Sequence, residues 1–460
     1  MNQENTAILN NEELGVLNTP VMKDTTKGSV GRPVAILKKD GINYLVPFIL
    51  VTSLFFIWGL ANNMTDTLLS AFRKIMDMSS LQTSFIQMAF YGAYFCFALP
   101  AALFIRRFSY KWGIILGLLM FSGGGFLFYP AGLSGSYAFY LIAIYILAAG
   151  CSVLETTANP FVLSMGPDQT ATRRLNLAQA FNPIGSVSGL LISKFYILSA
   201  LASDEARSAM DTAALEANQN KELFAVSSPY MVTGVIMLLV MLVFAFYKMP
   251  FVADADRSRV RSVFGRLVRN RHYMYGVIAQ FFYVGAQICT WSYLIQYICN
   301  IMGCAPDQAS TYSVISLVLF TGARFVFTYL MKYIRPERLL VYASAMALLC
   351  TLVVIFGSGH IAICSLVGIS VFMSLMFPTI YGISLEGIGS DAKIGASGLI
   401  MAILGGAFFP LIQGWIATSQ AYVDSYSGLL TENFALSYTV PLVCFVVVGL
   451  YGLYAVRYQR

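Results

Sequence analysis

The sequence predicts an all-α membrane protein of twelve transmembrane helices, folded as two six-helix bundles. Three observations carry that expectation. Of the 460 residues, 58% are hydrophobic and only 11% are charged, against roughly 45–50% and about 25% in soluble chains. So few charges cannot solvate the surface of a globule this large, which excludes a soluble enzyme, a disordered chain or a coiled coil. The apolar stretches are also long and continuous rather than alternating with a period of two, so the bilayer is crossed by helices and not by a barrel. Finally, the basic residues sort to one side of those stretches, as membrane insertion requires.

The spans are expected at 44–70, 82–105, 112–130, 137–165, 175–199, 228–248, 273–301, 309–331, 338–357, 360–385, 394–418 and 436–456. Ahead of them, residues 1–40 are polar (Glu4, Glu12, Glu13, Lys23, Lys27) and lack the apolar core of a secretory signal. The first span is therefore expected to insert uncleaved, leaving 1–40 as a cytoplasmic tail. With that end inside, inward-facing segments carry 23 of the 29 Lys and Arg residues. Outside lie Arg73, Lys74, Lys194, Arg207 and Lys221, and Arg324 sits within a span. The net charge of +7 is thus a matter of orientation, and nothing favours a nucleic-acid partner.

The largest inward gap, 249–272, separates six spans in 41–248 from six in 273–460. Weak repetition supports the division. Ile105-Arg-Arg-Phe-Ser-Tyr-Lys111 follows the second span and Met331-Lys-Tyr-Ile-Arg-Pro-Glu-Arg338 follows the eighth, both short basic hinges. The fifth and eleventh spans both carry Gly and Pro, at Pro183, Gly185 and Gly189 and at Gly405, Gly406, Pro410 and Gly414. Paired halves with glycine-interrupted helices at matching places indicate a secondary transporter with its site between the halves, near the midplane. The gap also holds six arginines between Arg257 and Arg271, with Val260, Val263, Phe264, Leu267 and Val268 at helical spacing. That pattern fits a short helix on an anionic leaflet, or simply a charged linker.

Chemistry-bearing motifs are scarce. The eight cysteines form no CxxC pair, there are two histidines (His272 and His360), and no HExxH, GxSxG or phosphate-binding GxxxxGK[ST] occurs. No metal, cofactor or catalytic centre is expected, and the missing phosphate loop argues against a self-contained ATP-driven pump.

Two carboxylates stand out because they fall within spans, where each is costly by about 2.5–3.5 kcal/mol on insertion scales. Glu155 lies deep in the fourth, with Asn159 one turn on; its alternative is a packing role. Asp66 follows Asn62 and Asn63 toward the outer end of the first; its alternative is a helix-end acid facing water. Arg324 is a possible charge partner or substrate ligand, or else snorkels to the interface. Amides Gln87, Gln179, Asn182, Gln280, Gln287 and Gln296 lie in the spans as well, and Tyr283, Gln287 and Trp291 recur at i, i+4, i+8. Amides that donate and accept, beside aromatic planes, suit a polar uncharged solute such as a sugar; singly, such groups also join helices.

Several runs resemble the fucose–galactose–glucose:proton symporter group of the major facilitators. They are Trp58-Gly-Leu-Ala-Asn-Asn-Met-Thr-Asp66, Leu154-Glu-Thr-Thr-Ala-Asn-Pro-Phe161, Arg174-Leu-Asn-Leu-Ala-Gln-Ala-Phe-Asn182 and Tyr283-Val-Gly-Ala-Gln-Ile-Cys-Thr-Trp-Ser-Tyr293. The resemblance runs from about residue 45 to the C-terminal end; the hinge 106–111 lacks the aspartate of the general major-facilitator motif, as this group does. It implies an inner-membrane permease of a bacterium with L-fucose and a proton as its cargo; the alternatives are galactose, glucose or an amino sugar as the solute, sodium as the coupling ion, or a membrane sugar sensor that binds without transporting, and a monomer is expected. It also implies roles. Asp66 and Glu155 would couple the proton. Glu155 and Asn182 would face the sugar, and the amide and aromatic pattern above adds Gln179, Gln87, Tyr283, Gln287 and Trp291 as further candidate contacts.

Overall fold

The computed structural model describes residues 36–458 apart from 40, 77–79, 198–200, 203–209, 251–259, 305, 420–421, 424–429 and 432–433. The polar tail 1–35 and the loop positions Arg257 and Arg259 lie outside the described residues, as do the side chains of Asp66 and Gln87.

A two-residue ladder, Lys38–Lys39 against Ile42–Asn43, leads into the first span. Spans 1 to 6 are Leu45–Ile75, Ser80–Arg107, Tyr110–Ser134, Tyr137–Ser164, the pair Ala171–Gln179 and Phe181–Ile192, and Thr212–Phe246. Spans 7 to 9 are the pair Arg271–Ser292 and Leu294–Met302, then Pro306–Leu330 and Pro336–Phe356. Span 10 joins Gly359–Met373 to Met376–Ser384, span 11 joins Ala392–Met401 to Gly405–Ser419, and span 12 ends with Thr439–Tyr458. Ten of these are long and apolar enough to cross a membrane, among the described residues. The other two, spans 5 and 7, are broken at Ala180 and Tyr293.

Side-chain oxygens start several of these helices. Ser109 accepts from the Trp112 amide at 3.4 Å, Asp211 from Ala214 at 2.8 Å and Asn270 from Tyr273 at 3.2 Å. Packing within each half then relies on missing side chains. A Cβ on Gly185 would overlap the carbonyl of Phe56, so spans 1 and 5 meet backbone to backbone. Gly405 stands in the same relation to the Phe281 carbonyl, where spans 11 and 7 meet. The glycines expected to interrupt spans 5 and 11 are contact points between helices, the small-residue mode of membrane packing; span 11 is interrupted at Ala402–Leu404, directly before Gly405, whereas the break in span 5 lies earlier than its glycines, at Ala180.

One expectation is corrected. The sixth span is expected to start at 228, yet it begins at Thr212, some four turns earlier. This extension buries Glu222, whose carboxylate accepts from the Ala202 amide at 2.7 Å and from Asn218 at 2.9 Å. Its alternation of polar and apolar residues hides the helix from a hydropathy reading.

The basic ends of the spans are built rather than merely charged. Lys111 donates to the carbonyls of Ala245 (2.8 Å) and Tyr247 (2.9 Å), closing the C-terminus of span 6. Arg174, fully buried, does the same for span 4. Its Nε donates to Val162 O at 2.8 Å and Nη2 to Leu163 O at 2.5 Å. Nη1 reaches the carbonyls of Ile36 (3.1 Å) and Pro167 (3.2 Å) and the hydroxyl of Thr170 (2.9 Å). A cation at the negative end of a helix, satisfying its last carbonyls, is favourable twice over. Between the halves a short helix, Val260–Arg269, is tied to span 11 by a two-point ion pair of Arg266 with Asp391 at 2.8 and 2.7 Å.

Arg174→Leu should leave these buried carbonyls unpartnered and lower stability by roughly 3 kcal/mol or more. A thermal unfolding midpoint in detergent equal to that of the unaltered protein would remove the capping role.

Candidate functional site

A cavity of about 370 Å³ lies between the two halves, within the roughly 300–1,000 Å³ range of small-molecule sites. The first half contributes Asn62 and Asn63 of span 1, Tyr91 and Tyr94 of span 2, Glu155 of span 4, and Gln179, Asn182 and Ser186 of span 5. Facing them are Gln287 and Trp291 of span 7, Ser313, Phe320 and Arg324 of span 8, and Phe377 of span 10.

Glu155 is 7% exposed, its opening being toward the cavity. One carboxylate oxygen accepts from the buried Tyr94 hydroxyl at 2.9 Å, and the Tyr94 carbonyl in turn accepts from Ser152 at 3.0 Å. Span 2 is thereby fastened to span 4 at the carboxylate. The Asn62 side chain interacts with the same phenol, while its own Oδ1 is buried without a partner. Asn62 and Asp66 are one turn apart on span 1, so Tyr94 stands between the helix bearing one carboxylate and the helix bearing the other.

The amides are partly committed. Gln179 donates to Asn159 Oδ1 at 2.9 Å, and Asn182 donates to the carbonyl of Phe55 at 3.2 Å. An amide has two N–H donors and an acceptor oxygen, so each keeps capacity for a ligand. Trp291 gives its indole N–H to Ser370 at 3.1 Å and meets Phe320 edge to face at 5.0 Å. With its N–H engaged, the ring is an apolar wall.

Tyr283 does not line the cavity. It is buried, and its hydroxyl donates to Met373 O at 2.8 Å. Each i to i+4 step rotates about 40° around the helix, so over two steps the expected face fans out, leaving Gln287 and Trp291 on the cavity and Tyr283 in the core of the second half. Arg324 neither snorkels nor meets a carboxylate among the described residues. It donates to Ser374 O at 2.5 Å and Gln179 O at 2.9 Å, and its guanidinium lies 4.6 Å from the Phe320 ring centre. The Gln179 bond crosses between the halves. Tyr94 and Phe320 escaped the sequence reading because nothing marks them among 27 tyrosines and 34 phenylalanines.

Comparison with known proteins agrees with this architecture. The sequence profile of the Major Facilitator Superfamily matches residues 51–410. The L-fucose-proton symporter of Haemophilus influenzae is 40% identical over 418 residues, covering 89% of this chain and 96% of that protein. The glucose/galactose transporter of Brucella abortus is 32% identical over 417 residues, covering 89% of this chain and 94% of its own length. The crystal structure of the transporter FucP in its outward conformation superposes with a TM-score of 0.81 at 34% identity, covering 90% of this chain and 99% of that one.

In this chain the halves touch below the cavity, toward the basic ends of the spans. Asn176 donates to Thr379 at 3.2 Å, Phe181 meets Phe325 edge to face at 6.0 Å, and Gly382 abuts Thr172. Lys393 of span 11, nearly buried, places its ammonium 4.8 Å from the ring centre of Tyr110, which stacks on Phe161 at 4.9 Å. A desolvated cation–π contact is worth about 2 kcal/mol. Lys393→Met keeps the stem and deletes the charge. A cysteine replacing Thr172 should then react with an impermeant maleimide added on the basic side about thirty-fold faster; an unchanged rate would mean that this contact does not hold the halves together.

Proposed function

This chain belongs to the Major Facilitator Superfamily, and we propose that it imports L-fucose together with a proton by alternating access. The observation that carries the sugar is the 40% identity to an L-fucose-proton symporter along nearly the whole of that relative. The cavity chemistry agrees with it: a carboxylate and amides on one wall, an indole and a phenyl ring on the other. Sugar hydroxyls need partners that donate and accept, while the C–H face of a pyranose packs on an aromatic ring. A glucose or galactose carrier is the second reading, favoured by the 32% identity to the Brucella transporter.

In this reading residues 41–248 and 273–460 are the two moving bundles, joined by 249–272. The protein is a monomer in the inner membrane of a bacterium, with both termini and the basic ends cytoplasmic. Asp66 takes up the outside proton, since a neutral carboxyl is far easier to occlude than a charged one. The sugar bridges Glu155, Asn182 and Gln179 to Gln287 and Trp291. Rocking then opens the basic end, and the contacts at Lys393 and Arg324 give way. A proton crossing 100 mV supplies about 2.3 kcal/mol, enough for roughly fifty-fold accumulation.

The deciding experiment is uptake of labelled L-fucose into proteoliposomes of the pure protein under an imposed inward proton gradient. Accumulation should collapse with an uncoupler and resist competition by galactose and glucose; effective competition by either would transfer the assignment to the second reading. Asp66→Asn should abolish uphill accumulation yet preserve exchange of sugar between compartments, so intact accumulation would sink Asp66 as the coupling acid. Tyr94→Phe removes the hydrogen bond that holds the Glu155 carboxylate against span 2. Half-saturation of exchange should then need several-fold more sugar than in the parent; an unchanged value would leave Tyr94 with packing alone.

A further inference from the structure

The helix Val260–Arg269 has a surface that the transport cycle does not use. Residues of a helix are about 100° apart, so Val263, Leu267, Val260, Phe264 and Val268 follow one another around a single apolar arc about 140° wide. The structure divides this arc. Val263 and Leu267 are 1% and 4% exposed, on the side packed against spans 7 and 11, whereas Val260, Phe264 and Val268 are 43%, 49% and 54% exposed. The ion pair of Arg266 with Asp391 fixes the helix about its axis, so the open part of the arc is held outward.

Charge says what covers it. From Arg257 to Arg271 there are six arginines and no acidic residue. Of the described ones, Arg266 is paired with Asp391, while Arg261 and Arg269 are exposed on the polar side of the helix. Arg261 borders the open apolar arc next to Val268. An apolar strip flanked by arginines, at the rim of a membrane-spanning body, matches the acyl–headgroup boundary of a bilayer with anionic lipids.

We propose that Val260, Phe264 and Val268 dip into the inner leaflet while Arg261 and Arg269 bind the phosphates of anionic phospholipid, making this helix a lipid-docked float on the second bundle. The stem of an arginine can lie along the acyl boundary with its head among phosphates.

The test uses the full chain in nanodiscs of phosphatidylcholine with or without phosphatidylglycerol. In a background with the native cysteines replaced, folding verified by sugar exchange, a spin label is placed through Phe264→Cys or Gly265→Cys. With phosphatidylglycerol present, the label at 264 should be several-fold more accessible to oxygen than to a water-soluble nickel chelate, and the label at 265 the reverse. In phosphatidylcholine alone the contrast at 264 should weaken. Chelate access at 264 in both lipids would overturn the proposal in favour of a solvated linker, and exclusion of both reagents would overturn it in favour of a protein cover. A contrast indifferent to lipid charge would overturn the role of the arginines. Hydrogen exchange on the unaltered chain gives an independent reading: amides 260–269 should exchange more slowly with phosphatidylglycerol, and equal rates in the two lipids count against docking.

Discussion

Hydrocarbon cannot solvate a polar group, so each one carried to membrane depth must find its partner inside the protein or beside water. That constraint organises the centre of this molecule. Glu155 has the Tyr94 hydroxyl on one oxygen and the cavity beside it; Arg324 gives two of its five donors to carbonyls and lies against Phe320. Among the described residues the carboxylate and the guanidinium are not paired with each other. Opposite charges locked together would be neutral and inert. Held apart on different halves, both line the cavity between them.

The same constraint separates what is rigid from what can move. Within each half, helices approach until one backbone touches the next, at Gly185 on Phe56 and at Gly405 on Phe281. Close-packed backbone contacts of this kind have no soft side chain to give way, and the two halves use them at equivalent spans. Between the halves span 2 packs along span 11 and Gly382 abuts Thr172, and beside these lie softer contacts: a hydroxyl–amide bond at Asn176 and Thr379, a guanidinium–carbonyl bond at Arg324, a pair of phenyl edges, and an ammonium over a ring. Most of these partners can exchange protein for water when the halves part, so rocking is far easier than deforming either bundle.

Much of this was legible in the sequence, for definite reasons. A carboxylate in a long apolar run has no routine explanation, so Glu155 drew attention, and the structure puts it on the cavity. Gln179, Asn182, Gln287 and Trp291 line the same space. What hydropathy could not report was depth around the helix axis. Tyr283 shares the nominal face of Gln287, yet the drift of the α-helix against a four-residue repeat turns it into the core. Tyr94 was invisible because tyrosine is common here and its position matters only through a residue 61 places along the chain. Span 6 shows the opposite failure: its first turns are polar enough to read as loop, and only the fold reveals that they bury Glu222.

The basic residues give the last step. As an insertion signal, Lys and Arg on one side of a membrane need only be present, in any conformation. Here they are used individually. Lys111 and Arg174 finish the helices that end on that side, Arg266 fixes the helix between the bundles, and Lys393 reaches over Tyr110 to the other bundle. Helix C-termini concentrate partial negative charge where spans 4 and 6 end, so the cations that orient the chain during insertion meet, once it is folded, the carbonyls that most need them. Spans 2, 8, 10 and 12 end on the same side in this topology, which makes the two demands coincide for every even-numbered span. Replacing such a lysine or arginine with a neutral residue therefore removes a folding contact along with a topological signal, and the two losses separate only when stability and orientation are measured on the same variant.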